Sequence, residues 1–105
     1  MEKLRVLIAD DHPLFRDGMR GLLSTQPDIE VAGEATTGEE AIKLAGELEP
    51  DVVLMDIKMP GLGGIEATRR ILSENSRIRI LVVTMFEDDA TVFTATRRRS
   101  GLGDR

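Results

Sequence analysis

The chain contains no cysteine, tryptophan or tyrosine, and its only aromatic residues are three phenylalanines. Without thiols there is no disulfide framework and no thiolate metal site, which agrees with a reducing compartment; a cytoplasmic location is expected. So few aromatic rings leave almost nothing for base stacking or an aromatic ligand cage. No apolar run approaches the ~18 residues that a membrane span requires. The N-terminal MEKLRVLIAD ends its short apolar stretch in acid and lacks the cleavage site of a secretory signal. The formal net charge is −5, and an acidic surface does not neutralise phosphates, so a general nucleic-acid binder is excluded. Neither nucleic acid nor membrane is an expected partner. Arg97, Arg98 and Arg99 form one local basic run, read as a solvated helix end.

What remains is an ordinary apolar and charged composition in 105 residues, enough for one domain with its own core. Four short apolar runs, residues 6–9, 29–32, 52–55 and 80–83, have strand length and are mostly rich in β-branched side chains. The first, third and fourth lack alternation, as parallel strands covered on both faces do, whereas IEVAGE (29–34) is mixed and suits an edge. Between the runs the period is helical. Pro13 opens a segment that places Phe15, Met19, Leu22 and Leu23 on one face and should stop before Pro27. TGEE gives Thr37 and Glu40 capping-box spacing ahead of Ala41, Leu44, Ala45 and Leu48, and Pro50 closes that helix. A third helix from about Gly64 turns Ile65, Thr68, Ile71 and Leu72 inward. A fourth starts near Glu87 or Asp88 and carries Ala90, Phe93 and Thr94. This alternation predicts an α/β fold: a doubly wound parallel sheet with right-handed crossovers and helices on both faces.

Ligand chemistry in such sheets gathers beyond the carboxyl ends of the strands. Asp10 and Asp11 follow the first run, Asp56 the third and Thr84 the fourth. With the first and third strands adjacent, three carboxylates converge, which is unfavourable unless they keep protons or share a cation. Oxygen ligands favour Mg²⁺. An aspartate beside that ion can attack phosphorus to form an acyl phosphate, and Thr84 could donate a hydrogen bond to a phosphoryl oxygen. Each acid taken alone reads as a helix cap or a solvated strand end. Three acids and a hydroxyl, each directly after a buried run, favour the site. His12 stands at the entry to a helix and is read as exposed rather than as a base. Gly61, Gly63 and Gly64 lack a GxxxxGK pattern and are read as turn residues. Met55 and Met59 are read as packing residues.

VLIADDHPLFRDG (6–18) and VVLMDIKMPGLGG (52–64) resemble the receiver domain of bacterial two-component response regulators, particularly the LuxR/NarL/FixJ-type subfamily whose receivers precede a helix-turn-helix domain. The similarity covers about residues 4–96. It implies a flavodoxin-like sheet of strand order 2-1-3-4. It implies Asp56 as the phosphoacceptor, Asp10 and Asp11 as the acidic pair, and Mg²⁺ held by Asp11, Asp56 and the backbone carbonyl of Lys58, whose side chain is then solvated. Thr84 matches the switch hydroxyl. The implied partner is a sensor histidine kinase, and the implied role is a regulatory phosphoacceptor, not an enzyme, that in a complete protein controls a DNA-binding output domain.

The family's fifth strand, with an aromatic switch residue and then a lysine, and its fifth helix are missing or replaced. By family spacing the aromatic would fall near Gly103 and the lysine just beyond Arg105. The expected division is an incomplete receiver domain at 1–96 and a divergent basic tail at 97–105. Without the lysine a cation that pairs with the phosphoryl group is absent, so weak or uncoupled phosphorylation with partly retained Mg²⁺ binding is expected. Without the fifth strand, residues 80–83 become an unpaired edge, and self-association through that edge is expected. Two other readings stand beside this one. A Mg²⁺-dependent phosphatase with an aspartyl nucleophile would need a second acid two residues on, where Lys58 stands. A non-phosphorylatable interaction fragment would keep the acids without using them.

Overall fold

The four apolar runs form parallel strands, and the helical segments between them cross over as their period requires. A computed structural model describes residues 2–86 and 89–95, with side-chain surroundings through residue 83. The elements are β1 (Leu4–Ala9), α1 (Pro13–Ser24), β2 (Ile29–Ala35), α2 (Gly38–Leu48), β3 (Val52–Asp56), α3 (Gly64–Glu74), β4 (Arg79–Phe86) and β5 (Asp89–Ala95). The sheet order is β2-β1-β3-β4-β5. The expected parallel order 2-1-3-4 is present, and the mixed segment is an edge strand. Because the chain moves from β1 outward to β2 and then back across β1 to β3, right-handed crossovers put α1 on one face and α2 and α3 on the other.

The main core lies on the α2 and α3 face. Leu7, Ala9, Val53, Met55, Ile80 and Val82 project from the strands to meet Ala41 and Ala45 of α2 and Ala67 and Ile71 of α3. A fully buried aliphatic side chain of this kind stabilises the fold by ~1.5–3 kcal/mol. Met55 and Met59 are buried packing residues, as expected. The α1 face is thinner. Val6 and Ile8 are buried there, but α1 itself has no buried residue, and Leu14 and Leu22 are exposed.

Local signals explain most boundaries. Thr37 caps α2 by accepting from the Glu40 N–H at 3.0 Å, while the Glu40 carboxylate reaches one residue past the expected partner to accept from the Thr36 N–H at 2.8 Å. Such a cap contributes about 1 kcal/mol. β1 and β2 pair with one irregularity: Val6 faces Val31 but Leu7 faces Gly33, so Ala32 is an extra residue in β2. After this bulge Glu34 lies opposite Ile8 and Ala35 opposite Ala9.

Three expectations are corrected. The fourth helix is not found at its expected place, since Asp89–Ala95 is a strand antiparallel to β4, with pairs running from Ile80↔Ala95 to Phe86↔Asp89. Ala90, Phe93 and Thr94 fit a helical face, yet DATVFTA is also rich in β-forming residues, and the unsatisfied backbone of β4 decides between the two. For the same reason the edge of β4 is not open, and the self-association expected through it loses its basis, because β5 occupies that place. Ile65, expected inward, is 62% exposed. α3 instead turns Gly64, Ala67, Thr68 and Ile71 to the core, because Gly64 lies directly against the chain leaving β3 and fixes the helix's rotation. The expected tail, 97–105, lies outside the described residues.

Candidate functional site

β1 and β3 are adjacent, with Ala9 opposite Met55, so the residues that follow Ala9 and those that end β3 emerge side by side. Asp10 is anchored by its own backbone N–H, which donates to the Ala35 carbonyl at 2.9 Å. Arg16 of α1 donates to the Asp10 carbonyl at 2.9 Å and pairs with Glu34 of β2 at 3.2 Å. Asp56 is the last residue of β3, opposite Val83 of β4. Its Oδ1 accepts from the Lys58 N–H at 3.2 Å, a short loop that turns the chain back over the carboxylate. The next turn contains Gly61 and Gly63 at positive φ, 78° and 85°, a backbone region that glycine enters without strain. Gly64 then returns to β3, donating to the Ile57 carbonyl at 3.0 Å.

The structure brings together three of the predicted site residues and one that was set aside. Asp10, Asp11, His12 and Asp56 each offer a ligand atom, and these atoms all lie within 4.8 Å of one another. Asp10 and Asp56 are buried, at 5% and 7% exposure. Asp11 Oδ1 is a buried oxygen that accepts no hydrogen bond. His12 has an exposed ring, as expected, but its Nδ1 reaches back to 2.9 Å from Asp10 Oδ1, 3.2 Å from Asp11 Oδ1 and 3.7 Å from Asp56 Oδ2. The shortest of these is the hydrogen bond, and a single ring N–H directed there is not free to serve Asp11 as well. Lys58 is exposed. Thr84 continues β4 one residue beyond Val83, which places its backbone at this same end of the sheet; its side chain lies outside the described residues.

The electrostatics follow from this crowding. Burial raises the Asp56 pKa above the ordinary carboxylate value; the Lys58 N–H and His12 oppose the rise, and the charges of Asp10 and Asp11 add to it. The His12 pKa is raised in turn, first by its hydrogen bond to Asp10 and then by the charge of Asp11. A cavity of about 450 Å³ opens over the cluster, lined by Asp10, His12, Asp56 and Lys58 together with the apolar Leu14, Phe15 and Val83. Carboxylates crowded at such separations require a proton or a cation, and half-buried Asp11 presents an oxygen that accepts no hydrogen bond. Their donor set fits a hard divalent ion.

His12 was legible as a neighbour of the acids but not as a member of the cluster, since an apolar pattern carries no information on which way an N-terminal imidazole turns. Arg16 was missed altogether. An arginine facing two ways, toward the Asp10 carbonyl and toward Glu34, depends on how α1 lies across β1 and β2.

Residues 6–100 match the family model described as the response regulator receiver domain. The transcriptional regulatory protein LiaR of Bacillus subtilis (strain 168) is 52% identical over 90 residues, which are 86% of this chain and 43% of that protein. The response regulator GacA of Pseudomonas aeruginosa is 50% identical over 86 residues, 82% of this chain and 40% of that protein. The crystal structure of a two-component response regulator of the LuxR family from Aurantimonas sp. SI85-9A1 superposes with a TM-score of 0.76 at 43% identity, covering 82% of this chain and 61% of that one. The chain thus spans less than half the length of these curated relatives.

Proposed function

The chain belongs to the response regulator receiver family, and from that premise we propose that Asp56 is the phosphoacceptor of a two-component signalling step, charged by a sensor histidine kinase. Its relatives are regulatory proteins of the LuxR-family type. In this reading the receiver occupies residues 1–96 and a basic tail follows at 97–105. The observation that carries it is the convergence of the Asp10, Asp11 and Asp56 carboxylates within 4.8 Å at the carboxyl ends of two adjacent strands, with Asp10 and Asp56 almost wholly buried.

In the proposed step a carboxylate oxygen of Asp56 forms a bond to the phosphorus of a phosphohistidine while the P–N bond breaks. The departing imidazole keeps the bonding pair and leaves neutral, because its other nitrogen already carries a proton. Asp11, Asp56 and the Lys58 carbonyl would hold Mg²⁺, and Asp10 completes the acidic pair. When bound, that ion offsets the negative charge gathering on the transferred group. The protein's own contribution is placement. β3 delivers Asp56 to the sheet edge, and the Lys58 N–H holds its Oδ1 so that the carboxylate does not rotate away. Thr84 is the hydroxyl proposed to bond a phosphoryl oxygen and so couple the acyl phosphate to the end of β4. In a longer chain this change would control a DNA-binding output domain.

The test is titration with Mg²⁺ and beryllofluoride, a mimic of the phosphoryl group, into the parent and Asp56→Asn. Thermal stabilisation of the parent that is lost in the variant is expected. An equal response in both would overturn the assignment of Asp56.

A further inference from the structure

The two acids that follow β1 are joined by a single peptide plane, and a side chain from α1 holds that plane. We propose that Arg16 is a positioning residue of the acidic site: bonded to the Asp10 carbonyl and pinned to Glu34, it aligns Asp10 and Asp11 toward Asp56 and so tightens the binding of a divalent ion. The inference rests on the acidic site described above and adds a residue that aligns it without itself holding an ion.

Three successive peptide planes are tied here. The plane before Asp10 is held by the Asp10 N–H, which donates to the Ala35 carbonyl at 2.9 Å, and the plane after Asp11 by the His12 N–H, which donates to Asp10 Oδ1 at 2.7 Å. The middle plane sets the turn between the two carboxylates, because a peptide is rigid and ψ of Asp10 and φ of Asp11 change only by swinging it. Its carbonyl accepts from Arg16 Nη1 at 2.9 Å.

The arginine is itself anchored. Its Nε donates to Glu34 Oε1 at 3.2 Å, and both side chains are mostly buried, at 18% and 25% exposure, so solvent does little to loosen the pair. Glu34 faces α1 because Ala32 is passed over in the pairing of β1 and β2, and its Oε2 accepts from Arg20 Nη1 at 2.6 Å. A guanidinium presents its donors as a rigid fork, so fixing Nε on Glu34 also fixes the direction of Nη1. The charge of Arg16 acts in the opposite sense. A cation near three carboxylates weakens their attraction for a second one, so loss of charge alone would tighten Mg²⁺ binding, whereas loss of alignment weakens it. The sign of the effect separates the two.

Mg²⁺ would be titrated by calorimetry into the parent, Arg16→Ala, Arg16→Lys, Arg20→Ala and Asp56→Asn, well below each melting temperature so that only folded protein is read. Arg16→Ala should lose about ten-fold in Mg²⁺ affinity, as metal sites do when an outer partner is removed. Arg16→Lys keeps the charge without the fork, should also bind more weakly than the parent, and carries the test if Arg16→Ala fails to fold. Arg20→Ala removes the same charge and a bond to the same Glu34 but no bond to Asp10, and should bind Mg²⁺ at least as tightly as the parent. In metal-free protein the NMR order parameter of the Asp11 N–H, which lies in the plane held by Arg16, should fall in Arg16→Ala and not in Arg20→Ala. Parent-like or tighter Mg²⁺ binding by a folded Arg16 variant, an equal loss in Arg20→Ala, or an Asp11 amide as ordered without Arg16 as with it would overturn the role of Arg16; with Asp56→Asn impaired, the acidic site would still stand. If the parent does not bind Mg²⁺, or Asp56→Asn binds it as the parent does, the acidic site itself fails and this inference with it.

Discussion

At Asp56 the sequence has put a carboxylate where water is scarce and two further acids are near. Burial raises its pKa in the native state, and Asp10 and Asp11 push in the same direction against the Lys58 N–H. The native protein therefore holds this proton more tightly than the unfolded chain does. Stability from this group is complete below the ordinary carboxylate value and is lost as pH rises through the raised native one. In metal-free buffer at neutral pH, Asp56→Asn should be more stable than the parent, and the difference should vanish as the solution is made acidic. Thermal melts in chelator across that range would check it, and a variant less stable than the parent at neutral pH would contradict it. The acids at 10, 11 and 56 were legible because each directly follows an apolar run, and the strand order alone brings the runs together. The ring of His12 was not, because its direction is set by its contacts with Asp10, which the residue types alone do not specify.

Among the elements, α3 shows how closely secondary structure and site are joined. A Cβ added at Gly64 would lie 2.7 Å from Ile57 Cα and nearer still to the Asp56 carbonyl, and both are backbone atoms that cannot step aside. Gly64→Ala should cost about 1–3 kcal/mol in denaturant melts. Because the displaced atoms belong to Asp56 and its neighbour, stabilisation by added Mg²⁺ should also fall. Full retention of the Mg²⁺ response would show that α3 and the site are independent. α2 was legible almost to the residue, since Thr37 and Pro50 mark its two ends. α3 was legible in extent but not in rotation: the periodic pattern put Ile65 inside, whereas the close contact at Gly64 turns it to solvent. β5 was read as a helix because seven residues with Ala, Phe and Thr satisfy either period. What separates the two is a long-range fact, the free backbone of β4.

For the molecule as a whole, β5 closes the sheet where an apolar strand would otherwise end it. Adjacent backbone N–H groups on a strand point to opposite sides, so prolines at both Val92 and Phe93 must remove at least one donor directed at β4. That double variant should scatter light as a larger species than the parent, and an unchanged mass would show that the β4 edge is not adhesive. The layered architecture and the sheet order were legible because parallel strands and crossovers leave few arrangements. The thinness of the α1 layer was not, since Leu14 and Leu22 look as apolar in sequence as the core leucines. That layer adds ion pairs to its half-buried apolar residues, with Arg16 and Arg20 both clasping Glu34, and the clasp depends on Ala32 standing outside the pairing of β1 and β2. Ala32 works as a half-step in the strand's alternation. Were Ala32 instead to pair in step with Leu7, Gly33 would fall opposite Ile8 and the carboxylate at 34 opposite Ala9, among the alanines of α2 and stranded without a cation, while both arginines would be left facing a glycine. Whether one small apolar residue is paired or passed over thus decides on which side of the protein a charge resides.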